Sequence, residues 1–378
     1  MKKIQRPSPA HEHKKTRAGK SVQSCDCQHV TVIPEWRPAL SMLGDGGGCI
    51  GPGCGSSGGS NPPSWLKSQA AWTKLLGDGG GCIGPGCLSS ASTLTTRPGA
   101  VTKGIGCNPD PMDRRDWTFE EGVQRLKLTI ASKKKPSHPR IHLWDAQPEW
   151  SIVDDQGPWN TCTACVVTTA LEYSRIRSQL PTRQLSRLFL YHTTRFLLRQ
   201  PGDSGADLRT TIKAAQGFGM PPEQFWPYDP QALLFASPDA LTCEMARSVK
   251  PAGYCRLDDG SATGPALVNR LKCVLSSHMP LACGIPVHRS MVRCGEDNGY
   301  VIPLPSRGMA DSDSLTGGHA VLIAGYDDEA EWDDLGRTKK GAFIVRNSWG
   351  RSWGDKGYAF LPYSYVEEGL AIDIWLVV

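Results

Sequence analysis

The chain changes character near residue 107, and that break limits what can fold. Through about Gly106 it is rich in Gly, Ser, Pro, Thr and Lys with few long aliphatic runs. Such a segment buries too little apolar surface to offset the entropy of ordering it. Periodic apolar segments begin beyond about Asn108. By length, 378 residues at 39% hydrophobic and 21% charged hold room for two packed units, yet a core is expected only after the break.

Inside the tail, LGDGGGCIGPGC at Leu43–Cys54 recurs unchanged at Leu76–Cys87. Segments this dense in glycine form neither helix nor stable strand, because glycine loses too much backbone entropy and packs nothing. The cysteine pair of each copy is open to four readings: a small disulfide loop, a soft-metal site shared between copies, a processed peptide, or a duplication without chemistry. The pair's spacing is at the loose end of zinc-ligand spacing and no histidine accompanies it. No metal and no cofactor is therefore assigned.

Of the 14 cysteines, seven precede Asn108 and seven follow it, and the reduced state is the expectation where no secretory signal is visible. The net charge of +5 comes partly from basic residues near the N-terminus such as Lys2, Lys3, Lys14 and Lys15. A solvated tail accounts for them, so no nucleic-acid partner is expected. No apolar run has transmembrane length and the first thirty residues lack a signal-like apolar core, so no membrane partner and a cytoplasmic location are expected, with export by another route left open.

The chemistry concentrates in three places. In QGPWNTCTACVV (Gln156–Val167), a loop passes into an apolar stretch of helical spacing at Cys162. A thiol in the first turn of a helix faces unpaired N–H groups, which favour thiolate. Two strand-like runs, GGHAVLIAGY (Gly317–Tyr326) and GAFIVRNSWGRSWG (Gly341–Gly354), flank a charged segment that reads as a solvated hairpin connection. In an antiparallel hairpin the start of one strand lies beside the end of the other, so His319 meets Asn347. An imidazole there takes the Cys162 proton while the Asn347 amide fixes its tautomer. Cys165, three residues deeper, reads as a small buried thiol.

The order Gln, Cys, His, Asn, the GHAV strand and the NSWGRSWGDKGY tail (Asn347–Tyr358) resemble the papain-like cysteine peptidases, most closely a bacterial branch. The resemblance covers about residues 108–378. It implies Cys162 as nucleophile, His319 as general base and acid, Asn347 as orienter, Gln156 as oxyanion-hole donor, and Trp349 as a shield for the His–Asn bond. A tetrahedral oxyanion needs such donors in any case, each worth about 3 kcal/mol. Ser204-Gly205 resembles the family's main-chain edge for substrate, and a plain helix-start turn explains it equally. Gly318, before His319, leaves one side of a specificity subsite small and uncharged, favouring apolar side chains there. Trp159, Asn160 and Thr163 depart from the family pattern, which bears on substrate preference more than on the reaction.

The fold expected is α+β and papain-like, a helical lobe and a β-barrel-like lobe with the cleft between them, behind a disordered tail. The division runs 1–107 tail, 108–155 connecting or pro-segment, 156–260 helical lobe and 261–378 β-rich lobe. Helices are expected over Cys162 to Ser174, Leu185 to Leu198 with Arg187 and Arg195 toward water, and about Ala206 to Gly217. Strands are expected over Pro280 to Val287, around His319 and Asn347, over Gly357 to Pro362 and over Ala371 to Val378. The segment upstream of Gln156 either packs on the surface as a strap or lies in the cleft.

Three function classes fit. The leading one is a thiol peptidase acting on peptides or proteins, with the tail as a cis substrate or inhibitor. The others are a transpeptidase or acyltransferase using the same acyl-enzyme, and a silent peptide-binding module. A full set of four catalytic positions argues against the last.

Overall fold

Apolar residues beyond the break alternate between helical and strand periods, and the architecture follows that alternation. The computed structural model describes residues 93–95, 102–111, 113–130, 136, 138–146, 150, 152–181, 183–305, 315–334 and 336–378. The repeated LGDGGGCIGPGC copies and most of the tail expected to be disordered lie outside them, but residues 102–107 of that tail are described and hold strand structure, with Ile105 and Cys107 buried.

Among the helices α1 (Phe119–Arg125), α2 (Cys162–Arg177), α3 (Arg187–Leu198), α4 (Leu208–Phe218) and α5 (Gly264–Leu275), α2, α3 and α4 pack on one another as the first layer, while α1 packs on the strand Tyr254–Arg256 and α5 on the strand Leu315–Asp334. Their starts follow from the sequence. Thr118 and Glu121 form a reciprocal capping box on α1, Ser186 Oγ accepts from Phe189 N at 3.1 Å on α3, and Asp207 Oδ1 accepts from Thr210 N at 2.7 Å on α4. α2 is buried nearly all round from Cys162 to Leu171 and packs against α3, α4 and the sheet.

The second layer is one antiparallel sheet of β1 (Arg140–His142), β2 (Tyr254–Arg256), β3 (Leu281–His288), β4 (Leu315–Asp334), β5 (Arg337–Arg346), β6 (Tyr358–Pro362) and β7 (Ile372–Val377). The path runs β6-β5-β4-β3-β7-β2, with β1 also on β4. The β-rich lobe is thus an open sheet with two ends and does not close into a barrel. β3 is buried along its whole length because β4 and β7 pair with its two edges and α2 and α4 pack against it.

The solvated hairpin expected between the His319 and Asn347 strands is present, and β4 and β5 continue into it, Glu331 opposite Lys340 and Asp334 opposite Arg337. Its charges pair across the ladder, Lys340 Nζ reaching Glu329 at 2.8 Å. One expectation changes: Arg187 and Arg195 do not face water. Both are buried, Arg187 bonded to Asp154 at 2.7 Å and Arg195 donating to the Pro201 carbonyl at 2.7 Å and to the Leu234 carbonyl. Their acceptors lie outside the helix, Asp154 and Leu234 far along the chain and Pro201 just past its C-terminal end, which helical periodicity cannot reveal. Among the described residues no helix is long and apolar enough to cross a membrane.

Candidate active site

Cys162 is the first residue of α2, at the junction of the helical layer and the sheet. Its sulfur is enclosed, and the main-chain N–H groups of Ala320, Gly106, Thr163 and Cys162 point at it. These donors favour thiolate, as the helix start leads one to expect, but burial outweighs them and holds the thiol above its ordinary range. The enclosure is supplied in part by residues from before the break, described below.

His319 sits near the start of β4 and Asn347 follows the end of β5, and their side chains meet: His319 Nε2 lies 2.7 Å from Asn347 Oδ1. The proton positions follow from one further bond. Ser348 N donates to the same Asn347 oxygen at 2.7 Å, so that atom is an acceptor and the amide cannot be flipped. Nε2 therefore carries the imidazole hydrogen. Nδ1 is left as the lone-pair nitrogen, buried and with no hydrogen-bond partner in this state. Burial also pushes the His319 pKa down to about 4, against a smaller upward pull from Asn347, so thiol and imidazole are both neutral here.

Trp349 covers this pair. Its ring centroid is 4.6 Å from that of His319 at 35°, and Trp353 packs edge-on to Trp349 at 5.5 Å. An indole laid on the imidazole keeps water from competing for the Nε2–Oδ1 bond.

Gln156 is fully buried at the mouth of α2. Ser348 Oγ donates to its Oε1 at 2.6 Å, and Gln156 N donates to Ser348 O at 2.8 Å, which orients the amide so that Nε2 faces outward. Nε2 donates to Trp159 O at 2.7 Å and to Gly104 O at 3.1 Å.

Gly104 belongs to a strap that threads the groove between the layers. Lys103 Nζ pairs with Asp155 at 2.6 Å, and Gly104 N donates to Gly157 O at 3.0 Å. Gly106 bridges Gly318 in parallel sense, Gly106 O accepts from Ala206 N at 2.9 Å, and Cys107–Asn108 pairs in parallel with Ala206–Asp207. Ile105 and Cys107 are buried. What fills the groove thus begins a few residues ahead of 108–155 and is continuous with it. Downstream, Asp110 N donates to Asp373 Oδ2 at 2.8 Å, Asp110 Oδ2 accepts from Trp375 Nε1 at 2.7 Å, and Arg256 joins Asp110, Asp258 and Asp373. Arg209 on α4 pairs with Asp116, fixing the strap's far end.

The structure places Gly205 and Gly318 on the two sides of this strap, within main-chain reach of it. Gly205 has φ +78°, and a methyl carbon on it would stand 2.0 Å from Gly106 O. Cys165 lies apart, its sulfur 3.8 Å from Thr161 Oγ1, with burial pushing its thiol strongly up. Sequence reasoning missed three contributors, Ser348, Tyr228 and Asp203, and marked Asn160 only as a departure from the family pattern. Ser348 is the nearest to legible, standing directly after Asn347. Tyr228, which donates to Gln156 O at 2.9 Å, carries no local signal. Asn160 and Asp203 tie the two groove walls together, Asn160 Nδ2 reaching Asp203 O at 2.8 Å. Among the described residues no cluster of His, Cys, Asp and Glu side chains has the geometry to hold a metal ion.

Residues 144–370 match the family described as papain family cysteine protease. An uncharacterised peptidase C1-like protein of Acanthamoeba polyphaga mimivirus is 32% identical over 73% of this chain and 87% of its own. Cathepsin K of Mus musculus is 26% identical over 65% of this chain and 70% of its own. The crystal structure of xylellain, a cysteine protease from Xylella fastidiosa, superposes with a TM-score of 0.57 at 32% identity, covering 73% of this chain and 96% of that one.

Proposed function

The chain belongs to the papain family of cysteine proteases and is by that membership a cysteine-type peptidase, and from this premise we propose that Cys162, His319, Asn347 and Gln156 carry its chemistry. The single observation that supports the assignment is the fixed tautomer of His319. With Nε2–H committed to Asn347 Oδ1, Nδ1 is the only ring atom able to accept a proton.

His319 Nδ1 takes the proton of Cys162 as the sulfur attacks the peptide carbonyl carbon. The carbonyl oxygen becomes an oxyanion between Gln156 Nε2 and the Cys162 N–H. The C–N bond breaks as the imidazolium returns its proton to the leaving amine, which leaves an acyl-thioester on Cys162. Water then adds to that carbonyl with His319 again as base, and collapse releases the acid and restores the thiol.

The strap makes the described state a latent one. Its Gly104 carbonyl takes the Gln156 donor, and it offers the sulfur an N–H at Gly106. It also excludes water from His319 and Cys162, which holds both in their uncharged forms. A substrate pairing with the Gly205 and Gly318 edges must first displace it.

Labelling with an epoxide-type thiol-protease probe tests the reading. One adduct is expected, on Cys162, in the unmodified chain and in Cys165→Ala, and none in Cys162→Ala. An adduct that survives Cys162→Ala and disappears in Cys165→Ala overturns it.

A further inference from the structure

The two donors proposed for the oxyanion come from opposite ends of one loop, and a single phenol ties those ends together. Gln156 opens the loop with its side-chain amide and Cys162 closes it with its N–H. Tyr228 Oη donates to Gln156 O at 2.9 Å and lies 2.7 Å from Oγ1 of Thr161, the residue before Cys162. The proton positions are forced. A carbonyl oxygen only accepts, so the one phenol hydrogen sits on Gln156 O, and the Thr161 hydroxyl is the donor to the phenol oxygen.

Thr161 shows what the bridge frees. A threonine that caps a helix ordinarily accepts from an N–H of the first turn. Thr161 caps α2 without any such bond, its hydroxyl being turned to Tyr228 instead. The N–H groups of Cys162 and Thr163 are thereby left to face the Cys162 sulfur, beside which an oxyanion would form.

Tyr228 is itself anchored outside the loop. Its main-chain N donates to Glu223 Oε1 at 2.8 Å, and the Arg187 guanidinium lies over its ring, 4.2 Å from the centroid. That guanidinium also pairs with Glu223 at 3.5 Å and with Asp154 at 2.7 Å, just ahead of Gln156 in the chain. The phenol therefore reaches the loop from a frame fixed to α3. On the opposite side, Gln156 N donates to Ser348 O at 2.8 Å, so the main chain of Gln156 is held at both its polar atoms.

We propose that Tyr228 is a positioning residue for peptide hydrolysis, its phenol setting the separation between the Gln156 amide and the Cys162 N–H and so their fit to the oxyanion. It touches neither substrate nor the reacting atoms and acts through the loop alone. The inference rests on the site reading given above, and the experiment separates the two.

The test uses the full chain carrying Gly106→Ala as the strap-released enzyme. Tyr228→Phe keeps the ring under Arg187 and removes only the hydroxyl. On a fluorogenic peptide kcat should fall about tenfold with KM within about twofold, because displaced donors stabilise the developing charge less. Alkylation of Cys162 by iodoacetamide develops no oxyanion, so its rate should stay within about twofold of the parent. Thr161→Val cuts the other half of the bridge. It should reproduce the loss in kcat, and the double variant should lose no more than either single one. In Gln156→Ala one donor is gone and no separation is left to hold, so adding Tyr228→Phe should cost less than about twofold. An unchanged kcat in Tyr228→Phe, alkylation slowed as much as kcat, or losses that multiply in either double variant would overturn the proposal. Hydrolysis that Tyr228→Phe leaves untouched sinks the role of Tyr228 alone, whereas alkylation of Cys162 without any hydrolysis in the released chain sinks the site reading and this role with it.

Discussion

Gln156 donates from its Nε2 to the main-chain oxygen of Gly104 at 3.1 Å, so the donor proposed for an oxyanion is already engaged by a carbonyl from the chain's own strap. The same amide is aimed by Ser348 Oγ at 2.6 Å. Two consequences separate. Gln156→Ala should lower kcat about 10²–10³-fold in the strap-released enzyme, with little change in KM, because the donor acts on the developing charge. Ser348→Ala keeps the donor and loosens its aim, so a loss of about tenfold is expected. Steady-state kinetics on a fluorogenic peptide distinguish the two, and an unchanged kcat in Gln156→Ala would remove it from the site.

Strap occupancy is set by sterics at Gly106. Gly106→Ala forces its new carbon against Asn160 and Gly205, and overpacking of this kind costs about 1–3 kcal/mol. Alkylation of Cys162 should speed up about tenfold or more, with the melting temperature of the core unchanged. Gly317→Ala is a milder probe, because the contact there, 3.3 Å to the flexible end of Ile105, can relax.

Cys162, His319 and Asn347, proposed above as catalytic, are legible because each stands at or near the end of a regular element. The helix start places Cys162, and hairpin geometry brings His319 to Asn347 whatever the length of the connection. The strap was illegible for the opposite reason. It binds through main-chain groups and through missing side chains, so its glycines read as a continuation of the tail. Arg187 and Arg195 were misplaced because charge was taken as a sign of exposure, whereas Asp154 and the Leu234 carbonyl arrive from other parts of the fold. The buried carboxylates at Asp110, Asp258 and Asp373 have no sequence pattern at all, since their common partner Arg256 lies far from Asp110 and Asp373 along the chain.

His319 gives the closed state a pH dependence of known sign. Its pKa is depressed from 6.5 to about 4 by burial, so the closed state holds the neutral imidazole. This contribution to closure is fully present above about pH 6.5 and is lost as pH falls toward 4. In an NMR titration the His319 resonances should shift with a midpoint near 4 in the unmodified chain and closer to 6.5 in Gly106→Ala. Identical midpoints in the two proteins would show that the strap does not control the imidazole's environment.

Arg256 joins three buried carboxylates, Asp110 at 3.4 Å, Asp258 at 3.0 Å and Asp373. Burial pushes the Asp110 and Asp373 carboxyls up and Arg256 opposes it. Asp373 also stands at φ +53° where β7 shifts register between Ile372 and Trp375, so its place is fixed by these contacts against a backbone preference. Arg256→Met keeps most of the volume and removes the compensating charge. Breaking a buried network from one side costs about 3–5 kcal/mol, and the loss should grow as pH rises, because the orphaned carboxyls are tolerable only while protonated. Urea unfolding at pH 5 and pH 8 measures both effects. The larger shift in midpoint should fall at pH 8, and adding Asp373→Asn to Arg256→Met should recover part of the stability there while leaving pH 5 nearly unchanged.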